Sequence, residues 1–150
     1  MKSRLWQPIL PLLALVFCLG WAATATAKEM KLEAQLVWGT NDDKAPADQK
    51  PVAAEIEKRL KSLPFKWQHY YEVKRRQLTV EHGGTQKVSL SRDCLIVVKQ
   101  LENDQVELTL MGKGEVVGCI KQKLPAGETL VLGGNAANFT GWFVVLRQVK

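Results

Sequence analysis

Hydrophobic and polar positions alternate along much of the chain. Over residues 31–38, Leu32, Ala34 and Leu36 fall on one parity, and Lys31, Glu33, Gln35 and Val37 on the other. That period of two predicts a half-buried strand. Residues 40–50 are polar, with Asn41, Asp42, Asp43 and Pro46, and read as a loop. A helix is expected next. Pro51 suits a first helical turn, and Val52, Ile56, Leu60 and Leu63 recur at helical spacing until Pro64 ends it. Glu55 and Glu57 come early and Lys58, Arg59 and Lys61 late, the sense the helix dipole favours.

From Phe65 onward the pattern is β in character. Phe65, Trp67, His69, Tyr71 and Val73 share odd parity, whereas Leu78 and Val80 are even. A strand has a side-chain period of two, so this slip requires a bulge or bend across Lys74, Arg75 and Arg76. His82-Gly83-Gly84 signals a hairpin turn, with Val88 and Leu90 on the returning strand. Strands over 94–101, 105–112 and 115–123 are expected to form a meander through turns at Asn103-Asp104 and Lys113-Gly114. Residues 94–98 are apolar on both faces, as befits a central strand. Pro125 and Gly127 mark a turn. Last strands are expected over 129–132 and 142–149, joined by a loop through Gly133, Gly134, Asn135 and Asn138. Seven or eight short strands with one short amphipathic helix predict a mainly β fold, an antiparallel β-sandwich or a partly open barrel.

The first 27 residues differ in character. Lys2 and Arg4 precede an apolar run over 9–23, which ends in small residues. Ala25-Thr26-Ala27 matches the pattern that signal peptidase cuts. Cleavage between Ala27 and Lys28 is expected, leaving 28–150 as a single exported β domain in the periplasm or outside the cell. An uncleaved anchor would need about 20 apolar residues, more than this run supplies. Phe17 stands before Cys18, where a lipoprotein signal needs a small residue. No second run of membrane length follows, so no transmembrane segment is expected in the mature chain. A length of 150 residues excludes a large multidomain enzyme, and 24% charged with 46% hydrophobic residues is an ordinary globular composition. The net charge of +6 is modest.

Two cysteines remain after cleavage, Cys94 and Cys119. On the expected meander they lie on outer strands two spacings apart, about 9.6 Å. A disulfide needs Cα atoms within about 6.8 Å, so two free, buried thiols are expected. The expected turns place Cys119 opposite Leu108. His69 and His82 are the only histidines and lack metal-ligand spacing, so neither a metal nor a cofactor is expected. His82-Gly83-Gly84 has no accompanying Gly-x-Ser-x-Gly elbow, and a nucleophilic enzyme is not expected. The odd-parity aromatics read as core, which leaves Tyr70 on the opposite face as the better ligand candidate. Lys58, Arg59, Lys61, Lys74, Arg75 and Arg76 form the densest positive set. Export makes nucleic acid an improbable partner for them. An envelope protein, a glycan or an anionic surface remains. The same charges also serve as a solvated helix face and a guarded edge strand. Asn138-Phe139-Thr140 is an N-glycosylation sequon, relevant only in a eukaryotic secretory path, whereas the leader has a bacterial character.

Leu124-Pro125-Ala126-Gly127-Glu128-Thr129-Leu130-Val131-Leu132-Gly133-Gly134 resembles a stretch of bacterial secretins, in which a glycine-containing turn leads into a strand ending Val-Leu-Gly-Gly. That likeness implies an accessory component of a secretin-type secretion apparatus. The frame from residues 32–41 to residues 142–147 resembles small exported bacterial β-proteins of uncharacterised role. Together these features lead to the expectation of a non-enzymatic binding or structural module of the bacterial cell envelope. The alternatives are the secretion accessory and a small exported hydrolase.

Overall fold

The computed structural model describes residues 28–150, and the expected leader lies outside the described residues. Nine strands and one helix follow in order: β1 (Met30–Thr40), β2 (Lys50–Pro51), α1 (Ala54–Lys61), β3 (His69–Val80), β4 (Thr85–Ser89), β5 (Cys94–Gln100), β6 (Gln105–Gly112), β7 (Glu115–Lys123), β8 (Thr129–Asn135) and β9 (Gly141–Gln148). They make two antiparallel sheets, β2-β3-β1-β9-β8 and β4-β5-β6-β7. Neither closes on itself, so the expected mainly β fold takes its sandwich form.

Alternation builds the core between the sheets. Met30, Leu32, Ala34 and Leu36 of β1 meet Ile96 and Val98 of β5 and Val106, Leu108 and Leu110 of β6. Glu33, Gln35 and Val37, on the other parity of β1, are buried too, contrary to the half-buried strand expected, and Lys31 of that parity is exposed. β1 is the middle strand of five, and α1 lies over the outer face of its sheet. There Val37, Val52, Ile56, Leu60, Tyr70, Phe143 and Val145 form a second core. Trp67 completes it, packed across the register neighbours Gly39 and Gly141. A Cβ on Gly141 would stand 2.6 Å from the indole, so a side chain there would displace it.

Several local expectations change. The helix starts at Ala54 and not at Pro51, because Lys50 and Pro51 pair as a short edge strand with Glu72 and Tyr71. Residues 65–68 precede β3, so parity does not carry through them. Phe65, Trp67 and Tyr70 therefore converge on the outer face, while Tyr71 shares the inner face with its register partner Trp38. The bulge in β3 is at Val73, one residue before the segment expected. The turn at His82-Gly83-Gly84 is not a hairpin within one sheet, since β3 and β4 belong to different sheets. Gly133 and Gly134 are strand residues of β8, not loop. They make room for Phe143 on one face and Trp142 on the other.

The meander is present, with a shifted register. Leu101 N–H donates to Gln105 O at 2.8 Å, so the first loop is longer than Asn103-Asp104 alone. Lys113 and Gly114 have φ of +51° and +83°, as a primed two-residue turn requires. Between Leu110 and Met111 the pairing with β7 slips, leaving Val117 as an extra residue. Cys119 consequently pairs with Thr109 and not with Leu108.

Candidate functional site

The six basic residues singled out in the sequence do not form one patch. Ile56 and Leu60 are buried, which turns Lys58, Arg59 and Lys61 outward on α1. Lys61 Nζ already meets Glu57 Oε1 at 2.6 Å. On β3 the strand alternates. Arg75 pairs in register with Gln35 on the helix-covered face, whereas Lys74 and Arg76 sit opposite Leu36 and Ala34 on the other face. Arg75 is committed to carboxylates, with Nη2 at 2.6 Å from Glu72 Oε2 and Nη1 at 3.6 Å from Glu33 Oε2. The hydrogen bonds to Glu72 hold its guanidinium still more firmly protonated.

Tyr70 is 3% exposed, so it is no exposed ligand platform. It lies under α1 in T-shaped contact with Phe143, ring centroids 5.8 Å apart. Burial first, and Glu57 second, raise the pKa of its phenol. His69 Nε2 stands 3.3 Å from Asp43 Oδ1 as a surface pair. No group of three or more His, Cys, Asp or Glu gathers to hold a metal among the described residues.

Cys94 and Cys119 are free thiols on opposite faces of their sheet. Cys94 is half-buried against the core, and burial raises its pKa and keeps it protonated. Cys119 is exposed, contrary to the buried position expected, because the extra residue in β7 sets it beside Thr109 on the outer face. Thr109 Oγ1 donates to its sulfur at 3.5 Å. In the native protein a disulfide-exchange reagent should therefore modify Cys119 at least about tenfold faster than Cys94. Equal rates would show that Cys94 is open to solvent.

The residues that do converge come from five strands. At one end of the sandwich the sheets leave a cavity of about 390 Å³ between them. Leu36 of β1 and Trp142 of β9 form one wall, and Cys94, Leu110 and Val117 form the other. Ser91, Asp93 and Lys113 stand at the rim. The walls are almost wholly apolar. Two local devices shape this mouth. Gly134 has no side chain, and the Trp142 indole passes 3.6–3.9 Å from where its Cβ would be. Gly112 likewise leaves space for Val117, whose Cγ2 would lie 2.9 Å from a Cβ there. The bulge in β7 is what brings Val117 into this position. Beyond Leu36, the row Tyr71–Trp38–Trp142 runs across three adjacent strands on the same face. Sequence reading missed this site. Its one local signal was the pair Val116-Val117 on an edge strand, 64% and 56% exposed. Comparison of the chain with protein-family models, curated proteins and solved structures gives no match.

Proposed function

We propose that the protein is a non-enzymatic binding module of the bacterial envelope that takes a single aliphatic chain into the mouth of the sandwich. The apolar cavity of about 390 Å³ carries this reading. It falls in the size range of small-molecule sites, roughly 300–1,000 Å³, and its walls are chiefly aliphatic side chains with one indole and one thiol. Burying a hydrocarbon chain there gains about 25 cal/mol per Å² removed from water. Inside the walls no charged group would be stranded by a neutral chain, while Asp93 and Lys113 keep the rim wet. The one thiol in the wall is held protonated by burial, which suits an apolar lining and disfavours a nucleophile. Export to the envelope, expected from the leader, would bring such a domain among lipids.

Brominated fatty acids test the reading, because bromine quenches a nearby indole. Titration should quench Trp142, and Trp142→Phe should remove that response. Val117→Asp places a carboxylate at the mouth on an exposed position and should weaken binding at least about tenfold, or roughly 1.4 kcal/mol. A wild-type protein without quenching, or a Val117→Asp variant that binds as well, would refute the proposal.

A further inference from the structure

Phe139, in the loop between β8 and β9, is 96% exposed. Its φ is +56°, and that of Asn138 is +60°. Left-handed backbone is readily adopted by asparagine and is unfavourable for a bulky residue. An exposed phenyl ring also forgoes the burial that would stabilise it. The loop is nonetheless well tied. Trp67 Nε1 donates to Phe139 O at 2.8 Å, Ala136 N–H donates to Thr140 O at 2.8 Å, and Thr140 Oγ1 donates to Ala137 O at 2.8 Å. Trp67 is itself seated in the second core. The ring is thus presented on a fixed support.

Beside it lies a second cleft, of about 570 Å³ and unlike the mouth in chemistry. Asn41, Lys66, Asn135, Asn138 and Thr140 line it with Phe139. Amides and a hydroxyl both donate and accept hydrogen bonds. Asn41 is held in place because its Oδ1 accepts from Gln68 N–H at 2.9 Å, which leaves its amide NH₂ as a donor. The lining contains one cation and no carboxylate.

We infer that this cleft binds a saccharide, with Phe139 stacking on the C–H face of a sugar ring and the amides of Asn135 and Asn138 bonding to its hydroxyls. A sugar has both surfaces this site offers, an apolar ring face and a rim of hydroxyls. A bilayer anchor would surround the phenyl ring with apolar or basic residues alone, whereas here three asparagines and Thr140 share the lining with Lys66, Trp67 and Ala136. Lys66 admits a sugar bearing a carboxylate or phosphate. The site is separate from the mouth and does not depend on an aliphatic ligand there.

The test uses the mature protein against neutral oligosaccharides, acidic oligosaccharides and phosphatidylglycerol vesicles, with binding read by calorimetry. Wild type should bind one of the two saccharide sets. Phe139→Ala should weaken that binding at least about tenfold, with an unchanged melting temperature because the ring is exposed. Phe139→Trp should restore it. If the acidic set is bound, Lys66→Gln should weaken it. Quenching by brominated fatty acid, measured on the same variants, should stay as in wild type, which separates failure here from failure at the mouth. Absence of saccharide binding, undiminished binding by Phe139→Ala, or vesicle binding that Phe139→Ala abolishes would each overturn the inference.

Discussion

Phe143→Ala is expected to destabilise the domain by about 3–5 kcal/mol, the cost of removing a fully buried aromatic side chain. The ring is the hub of the second core, with its centroid 4.5 Å from Phe65, 5.4 Å from Trp67 and 5.8 Å from Tyr70. It also rests on Gly133, where a Cβ would stand 2.3 Å from Cδ1 of the ring and 2.7 Å from the Trp142 carbonyl oxygen. Gly133→Ala should therefore cost about 1–3 kcal/mol by overpacking. The ring clash disappears once the ring is gone. The double variant should thus lose less than the sum of the two single losses. Urea denaturation of the four proteins measures this. A Phe143→Ala loss below about 1 kcal/mol would mean that α1 and its core are not held as described.

Glu33→Ala should cost about 3 kcal/mol, at the low end for breaking a buried ion pair. The Glu33 side chain is 6% exposed on the outer face of β1. Its Oε1 accepts from Gln35 Nε2 at 2.9 Å and meets Arg147 Nη2 at 3.4 Å. Its Oε2 lies 3.6 Å from Arg75 Nη1. Removing the carboxylate leaves Gln35 without this partner where water is scarce, and leaves Arg147 with only the exposed Glu55. The effect stays at the low end because both arginines reach solvent, at 29% and 44% exposure. Glu55 also meets Arg147, at 3.4 Å, yet it is 86% exposed. Glu55→Ala should change stability by less than about 0.5 kcal/mol. A double-mutant cycle on Glu33 and Arg147 gives the coupling directly. Equal losses for Glu33→Ala and Glu55→Ala would contradict the burial argument.

Glu33 also shows where local pattern misleads. A charge alternating with Leu32 and Ala34 reads as solvent-facing, and that reading is sound for a strand with one covered face. It fails here because α1 lies on the outer side of the same sheet. Tyr70 fails for the same reason. Its parity placed it opposite the core, and a second core turned out to lie on that side. Alternation also divides the basic set between the two faces of β3. Lys74, Arg75 and Arg76 are adjacent in sequence, yet consecutive strand residues point to opposite faces. Gly133-Gly134 read as loop because glycine is rare in strands. What keeps it in β8 is the volume of Phe143 and Trp142 beside it, which no local signal carries.

Period-two alternation by itself determined the fold class, the presence of the last five strands and the span of β6 and β7. Those features depend on contacts between residues a few positions apart, and the turn at Lys113-Gly114 is a local backbone preference. Tertiary structure alone decided the exact place of the bulge at Val73, the bulge at Val117, the covering of β1 on both faces and the two clefts. A bulge adds one residue without changing composition, so its position is set by how the neighbouring strand and the opposite sheet accept it. The mouth joins Leu36, Cys94, Leu110, Val117 and Trp142 from five strands spread over more than a hundred residues. Its shape comes from the gap the two sheets leave at one end of the sandwich, which exists only once the sheets have packed.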